Sequence, residues 1–69
     1  MSRRFPAPWT VVATPAGWRV EDANGMAVAF TYGDDDPGKR RPDDLTVDEA
    51  RRVAVNIARL PDLLAAKER

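Results

Sequence analysis

Apolar and polar residues follow a helical period from Leu45 to Leu60, the longest regular pattern in the chain. At about 100° per residue, one arc of this segment is apolar and the other is polar or charged. The apolar arc contains Val47, Ala50, Val53, Ala54, Ile57, Ala58 and Leu60. Thr46 and Glu49 have the spacing of a capping box, which marks a helix start. The pattern predicts one amphipathic helix whose apolar arc packs on the preceding residues.

Three shorter segments before the helix are predicted β-strands. They run from Trp9 to Thr14, from Gly17 to Asp22 and from Met26 to Tyr32. The four-residue segments between them, 14–17 and 22–25, each end in glycine. Both favour a type I turn followed by a glycine in the left-handed backbone conformation. Two such turns predict an antiparallel meander of three strands.

The second turn allows two registers. A two-residue loop at Asn24 and Gly25 would pair Arg19 with Phe30 and place charge on the most apolar face. A three-residue loop pairs Trp18 with Phe30 instead, so burial favours it, because a one-residue slip exchanges the two faces. The same logic in the first hairpin predicts a helix-covered face of Val12, Trp18, Val20, Val28 and Phe30. The opposite face would carry Trp9, Val11, Ala13, Arg19, Glu21, Ala27, Ala29 and Thr31.

The remaining segments complete a single small domain, residues 1–69. Residues 1–7 are a predicted flexible lead-in, and residues 33–44 are a predicted charged loop with no apolar side chain to order it. Pro61 suits the first turn of a short second helix, in which Leu63 and Leu64 would close one end of the core. The expected fold is α+β: a three-stranded antiparallel β-meander packed on one main α-helix, with a short C-terminal helix (β-β-β-α-α).

Composition removes several classes of function. The chain has neither cysteine nor histidine, so it offers no disulfide, thiol nucleophile or imidazole metal ligand. Eleven basic and eleven acidic residues cancel, which disfavours nucleic acid as a partner. No apolar run approaches the roughly 18 residues of a membrane span. Arg3 and Arg4 lack the apolar segment that follows a twin-arginine signal, so the expected location is the cytoplasm and no membrane partner is expected.

The acidic residues fit structural roles better than chemical ones. The aspartates at 34–36 and 43–44 could surround a cation, but their order differs from that of an EF-hand loop and basic residues adjoin them. Asp48 and Glu49 suit the first turn of a helix, and Thr46 has no base to activate it. We therefore expect no enzyme activity, no catalytic residue, no metal and no cofactor.

Several motifs resemble those of a group of short, uncharacterised bacterial proteins. They are Pro8-Trp9, the turn Asp22-Ala23-Asn24-Gly25, and a helix that runs from Leu45-Thr46 through Asp48-Glu49-Ala50-Arg51-Arg52 to Asn56-Ile57-Ala58-Arg59-Leu60-Pro61. The likeness covers most of the chain. It implies a compact stand-alone protein, and it supplies no catalytic or binding residue.

Two functional hypotheses follow. The first is a small non-catalytic interaction module, self-associating or bound to another protein, because half of the uncovered sheet face is apolar. Its expected surface is Trp9, Val11, Ala27, Ala29 and Val55. The second is nucleic-acid binding through the sheet or an arginine-bearing helix face. Its expected contacts are Arg40, Arg41, Arg51, Arg52 and Arg59.

Overall fold

The computed structural model describes residues 5–39 and 41–67; residues 1–4 of the lead-in, Arg40 and residues 68–69 lie outside them. The elements are β1 (Thr10–Thr14), β2 (Gly17–Glu21), β3 (Ala27–Tyr32), α1 (Val47–Ala58) and α2 (Leu60–Lys67). The strands form one antiparallel sheet in the order β1-β2-β3, and the helices pack on it as one bent helix of two pieces. The α+β prediction is confirmed, with element ends within two residues of those expected.

The start of α1 has the predicted capping box. Thr46 Oγ1 accepts a hydrogen bond from Glu49 N at 3.1 Å, and Glu49 Oε1 accepts one from Thr46 N at 2.8 Å. The sequence did not indicate a third contact, in which Asp35 Oδ1 accepts from Val47 N at 3.0 Å. Three backbone N–H groups at the N-terminus of α1 thus donate to a carboxylate or a hydroxyl group. These hydrogen bonds stabilise the start of the helix.

The register of the first hairpin differs from the prediction. Thr14 pairs with Gly17, so only Pro15 and Ala16 form the loop, and Val11 rather than Val12 lies opposite Val20. Gly17 is therefore a strand residue and is not left-handed; among the described residues only Gly25 has a positive φ, of 83°. This one-residue shift places Val12 on the opposite face of the sheet from Val20.

The second hairpin begins in the predicted register and then leaves it. Asp22 N donates to Met26 O at 2.9 Å, as a three-residue loop with a left-handed Gly25 requires. One residue is then added to β3, where a bulge at Val28 shifts the pairing. Beyond the bulge Arg19 lies opposite Phe30, which is the pairing that the burial argument disfavoured.

These shifts determine which sheet face the helix covers. The face toward α1 carries Val11, Ala13, Trp18, Val20, Ala29 and Thr31, and the open face carries Val12, Arg19, Glu21, Phe30 and Tyr32. Two hydrogen bonds connect the covered face to α1: Trp18 Nε1 donates to Val47 O at 3.2 Å, and Thr31 Oγ1 donates to Ala50 O at 2.8 Å. The prediction that Val12 and Phe30 lie beneath the helix with Trp18 and Val20 is wrong.

The charged loop is more ordered than its composition suggests. Asp34 Oδ1 accepts from Asp36 N and Asp36 Oδ1 accepts from Gly38 N, each at 2.9 Å. Asp44 Oδ2 accepts from Arg41 N at 2.9 Å. Aspartate side chains that bond to backbone N–H groups nearby can shape a loop without an apolar core.

Candidate interaction surface

The structure does not bring the five predicted interface residues together. Val11 and Ala29 lie on the sheet face that α1 covers, whereas Ala27 lies on the open face. Trp9 precedes β1 and is half-buried, and its Nε1 donates to Phe5 O at 3.0 Å. Val55 is half-buried on α1. The prediction placed Val11, Ala27 and Ala29 on one face of the sheet. The observed registers of the two hairpins differ from the predicted ones and divide these residues between two faces.

A different apolar surface runs along the two helices. Its four residues, which we call the helical stripe, are Val53, Ile57, Leu60 and Leu64. Ile57 is half-buried, and the other three side chains are 41%, 40% and 54% exposed. Their spacing of four, three and four residues places them along one side of a helix. Ala50 and Ala54 are fully buried, so the side of α1 that packs on the sheet is the side with small residues. The larger apolar residues of the stripe therefore lie beside this contact.

Part of the stripe surrounds a shallow hollow. Val53, Asn56, Ile57 and Leu60 line a depression of about 270 Å³. These positions are i, i+3, i+4 and i+7 of a helix, the four residues that form a hole in knobs-into-holes packing. A branched aliphatic side chain from a facing helix would fit such a hole.

The stripe extends past the sheet. Helices α1 and α2 together cover residues 47–67, roughly 30 Å at helical rise. The longest strand has six residues, about 20 Å. Leu63 and Leu64, at 53% and 54% exposed, do not close the core as predicted, because α2 contacts α1 and none of the three strands.

The open sheet face carries a pair of aromatic side chains. Phe30 is 52% and Tyr32 62% exposed. Their rings are nearly parallel, at 8°, with centroids 6.4 Å apart. Arg19 lies opposite Phe30 and forms an ion pair with Glu21 on the same face, at 2.5 Å. The face therefore combines exposed rings with balanced charge.

The candidate nucleic-acid contacts are divided between two parts of the chain. Arg41 is in the loop, where its backbone N–H bonds to Asp44, and Arg40 lies outside the described residues. Arg51 and Arg52 are exposed on α1, and Arg59 is its C-cap. Arg52 Nε lies 2.9 Å from Asp48 Oδ2, so one of these charges is already neutralised.

A second hollow, of about 520 Å³, lies at the start of α1. Asp34, Asp35 and Asp44 are among its lining residues, and each bonds to a backbone N–H group. These contacts explain the aspartates as structural residues of the loop and the helix start. Within residues 5–39 and 41–67, no three side chains of the types that bind metals come together.

Comparison with known protein families, with curated proteins and with solved structures finds no match to this chain. The resemblance to short bacterial proteins therefore stays a prediction. In the described part of the chain, neither helix has the length and apolar character needed to cross a membrane.

Sequence reasoning missed the helical stripe for a specific reason. It treated every apolar residue of the arc as a residue that faces the sheet. Two alanines four residues apart, Ala50 and Ala54, are a signal of close packing, and they predict that the helix rests on them. Val53 and Leu60 then fall to one side of the contact.

Proposed function

We propose that this chain is a small non-catalytic interaction module of the bacterial cytoplasm that self-associates through the helical stripe. The observation that supports this proposal is the row of exposed aliphatic side chains, Val53, Leu60 and Leu64, beside the half-buried Ile57. Exposed apolar residues that adjoin one another mark interaction sites more often than scattered ones do.

The size of the stripe sets the expected strength. Its four side chains are each about half exposed or less, so the patch is smaller than the area that a stable interface buries. A standard protein–protein interface buries about 800 Å² on each partner. Residues beside the stripe can add area, but the total remains small. We therefore expect weak association, with a dissociation constant of about 10 μM or above.

Replacement of Leu64 by glutamate is expected to abolish self-association. Each dimer would bury two carboxylates in an apolar contact, which raises the dissociation constant about 100-fold or more. Glutamate is a good helix former, and Leu64 is exposed, so the fold is retained. Sedimentation equilibrium over micromolar to millimolar concentrations measures the change.

Leu63→Glu is the matched control. Leu63 has the same side chain and nearly the same exposure, 53% against 54%, but lies one helical step of about 100° from Leu64. We expect Leu63→Glu to dimerise almost as the unsubstituted chain does. Equal loss of the dimer in both variants, or a strictly monomeric parent chain, would contradict the proposal.

The aromatic pair on the open sheet supports a second candidate function, the binding of single-stranded nucleic acid. Exposed aromatic side chains on a β-sheet are a platform on which unpaired bases stack, at about 1–3 kcal/mol per base. Phe30 and Tyr32 are exposed on such a face, and Arg19 is near them. This candidate uses the sheet rather than the arginines of α1.

Replacement of both Phe30 and Tyr32 by alanine tests this second candidate. Loss of two stacking contacts is expected to weaken the binding of a fluorescent oligothymidine by about 30-fold or more. Fluorescence anisotropy at low salt measures the affinity, and a duplex of the same length is the control. Absence of oligothymidine binding by the parent chain, or equal binding by the double variant, would exclude the sheet as a nucleic-acid surface.

A further inference from the structure

The helical stripe has the same spacing when it is read in either direction. Val53, Ile57, Leu60 and Leu64 are separated by four, three and four residues. We infer that the stripe pairs antiparallel with the same stripe of a second copy, about a twofold axis near residues 58 and 59. This inference rests on the proposed self-association and names its geometry.

Twofold pairing requires a surface that is complementary to itself. In the antiparallel register Val53 of one copy lies opposite Leu64 of the other, and Ile57 lies opposite Leu60. Every stripe residue then faces an aliphatic partner, and the smallest one, Val53, faces one of the leucines. No stripe residue is left without a partner.

The hollow in the stripe fits this register. Its four lining residues, Val53, Asn56, Ile57 and Leu60, are centred between positions 56 and 57. The antiparallel register places Leu60 of the second copy over that centre. Leu60 is 40% exposed, so its side chain is accessible to enter the depression of about 270 Å³. By symmetry each copy supplies one knob and one hole.

The residues beside the stripe are compatible with self-contact. Asn56, which lines the hollow beside the stripe, is uncharged, so a twofold axis brings no like charges together at the hollow. Asp48 and Arg52, farther round α1, already pair with each other at 2.9 Å. Neither of these two charged groups depends on the second copy for a partner.

Antiparallel pairing also explains why the helices extend past the sheet. The α2 half of the stripe, with Leu60 and Leu64, contacts none of the strands of its own sheet. In the antiparallel dimer it packs on α1 of the second copy. The two sheets then lie toward opposite ends of the helix pair, and the helix dipoles oppose each other favourably.

Disulfide trapping tests the register, because the chain contains no cysteine. The variant Val53→Cys/Leu64→Cys is oxidised under conditions in which the parent chain dimerises, and the linked peptides are identified by mass spectrometry after proteolysis. We expect disulfides that join position 53 of one copy to position 64 of the other. The control Val53→Cys/Leu63→Cys is expected to form at least tenfold less of the corresponding link.

The outcomes separate this inference from the proposed function. Links of 53 to 53 and 64 to 64 would show a parallel pair, and they would overturn the antiparallel register but not self-association. A parent chain that dimerises while the variant forms no link, with unchanged circular dichroism, would also overturn the register. A parent chain that never dimerises would contradict both.

Discussion

Gly33→Ala is expected to remove a large part of the free energy that stabilises the folded chain. Gly33 follows β3 and lies against the backbone at the start of α1. A Cβ atom there would collide with Thr46 O and would lie 2.7 Å from Thr46 C and 2.8 Å from Val47 Cα. The adjacent hydrogen bond from Asp34 N to Leu45 O, 2.9 Å, holds the two segments together. Since every obstructing atom is backbone, the helix start must move.

The expected loss is about 3 kcal/mol or more, as for severe overpacking. A domain of this length has a total stability of roughly 3–10 kcal/mol. Urea unfolding followed by tryptophan fluorescence measures the change, since Trp18 bonds to Val47 at the affected site. In Gly38→Ala the nearest atom to the new Cβ is Asp36 Oδ1 at 3.4 Å, so this control should stay within 1 kcal/mol of the parent. Comparable stability of the two variants would refute the close-approach explanation.

Gly17→Ala is expected to destabilise the sheet by a similar amount. Gly17 pairs with Tyr32, and a Cβ atom at position 17 would collide with Thr31 O and lie 2.9 Å from Tyr32 Cα. β3 would have to separate from β2 at the end where Thr31 bonds to Ala50. The change therefore disturbs both strand pairing and the contact of the sheet with α1, and we expect about 3 kcal/mol or more.

The other hairpin glycine is a comparison for Gly17. A Cβ at Gly25 would meet no atom within 4 Å, but its φ of 83° is unfavourable for alanine. Gly25→Ala should therefore cost only about 1–2 kcal/mol, from backbone strain alone. Thermal unfolding by circular dichroism ranks the variants. If Gly25→Ala proves the more damaging substitution, the conformation of the turn rather than strand spacing dominates this sheet.

The positions of the elements could be predicted because they depend on neighbouring residues. The helical period and the capping box of Thr46 and Glu49 located α1, and Asp22 and Gly25 located the second turn. In each case the decisive contacts join residues within a few positions of one another. Asp34 and Asp36 belong to the same class, since the side chain of each accepts a hydrogen bond from the backbone two residues ahead, and their spacing is a readable signal of such turns.

The sequence by itself determined which segments are helices and strands and where α1 begins, because periodicity, capping and turn preferences act over short distances. Tertiary structure decided the bulge at Val28, the face occupied by Phe30 and the rotation of α1. Ala50 and Ala54 lie fully buried against the sheet, whose covered face holds Ala29 and Thr31 rather than Phe30. Such close packing becomes favourable only when the helix and the sheet meet. A register chosen to place the largest apolar side chains on one strand face therefore does not predict it.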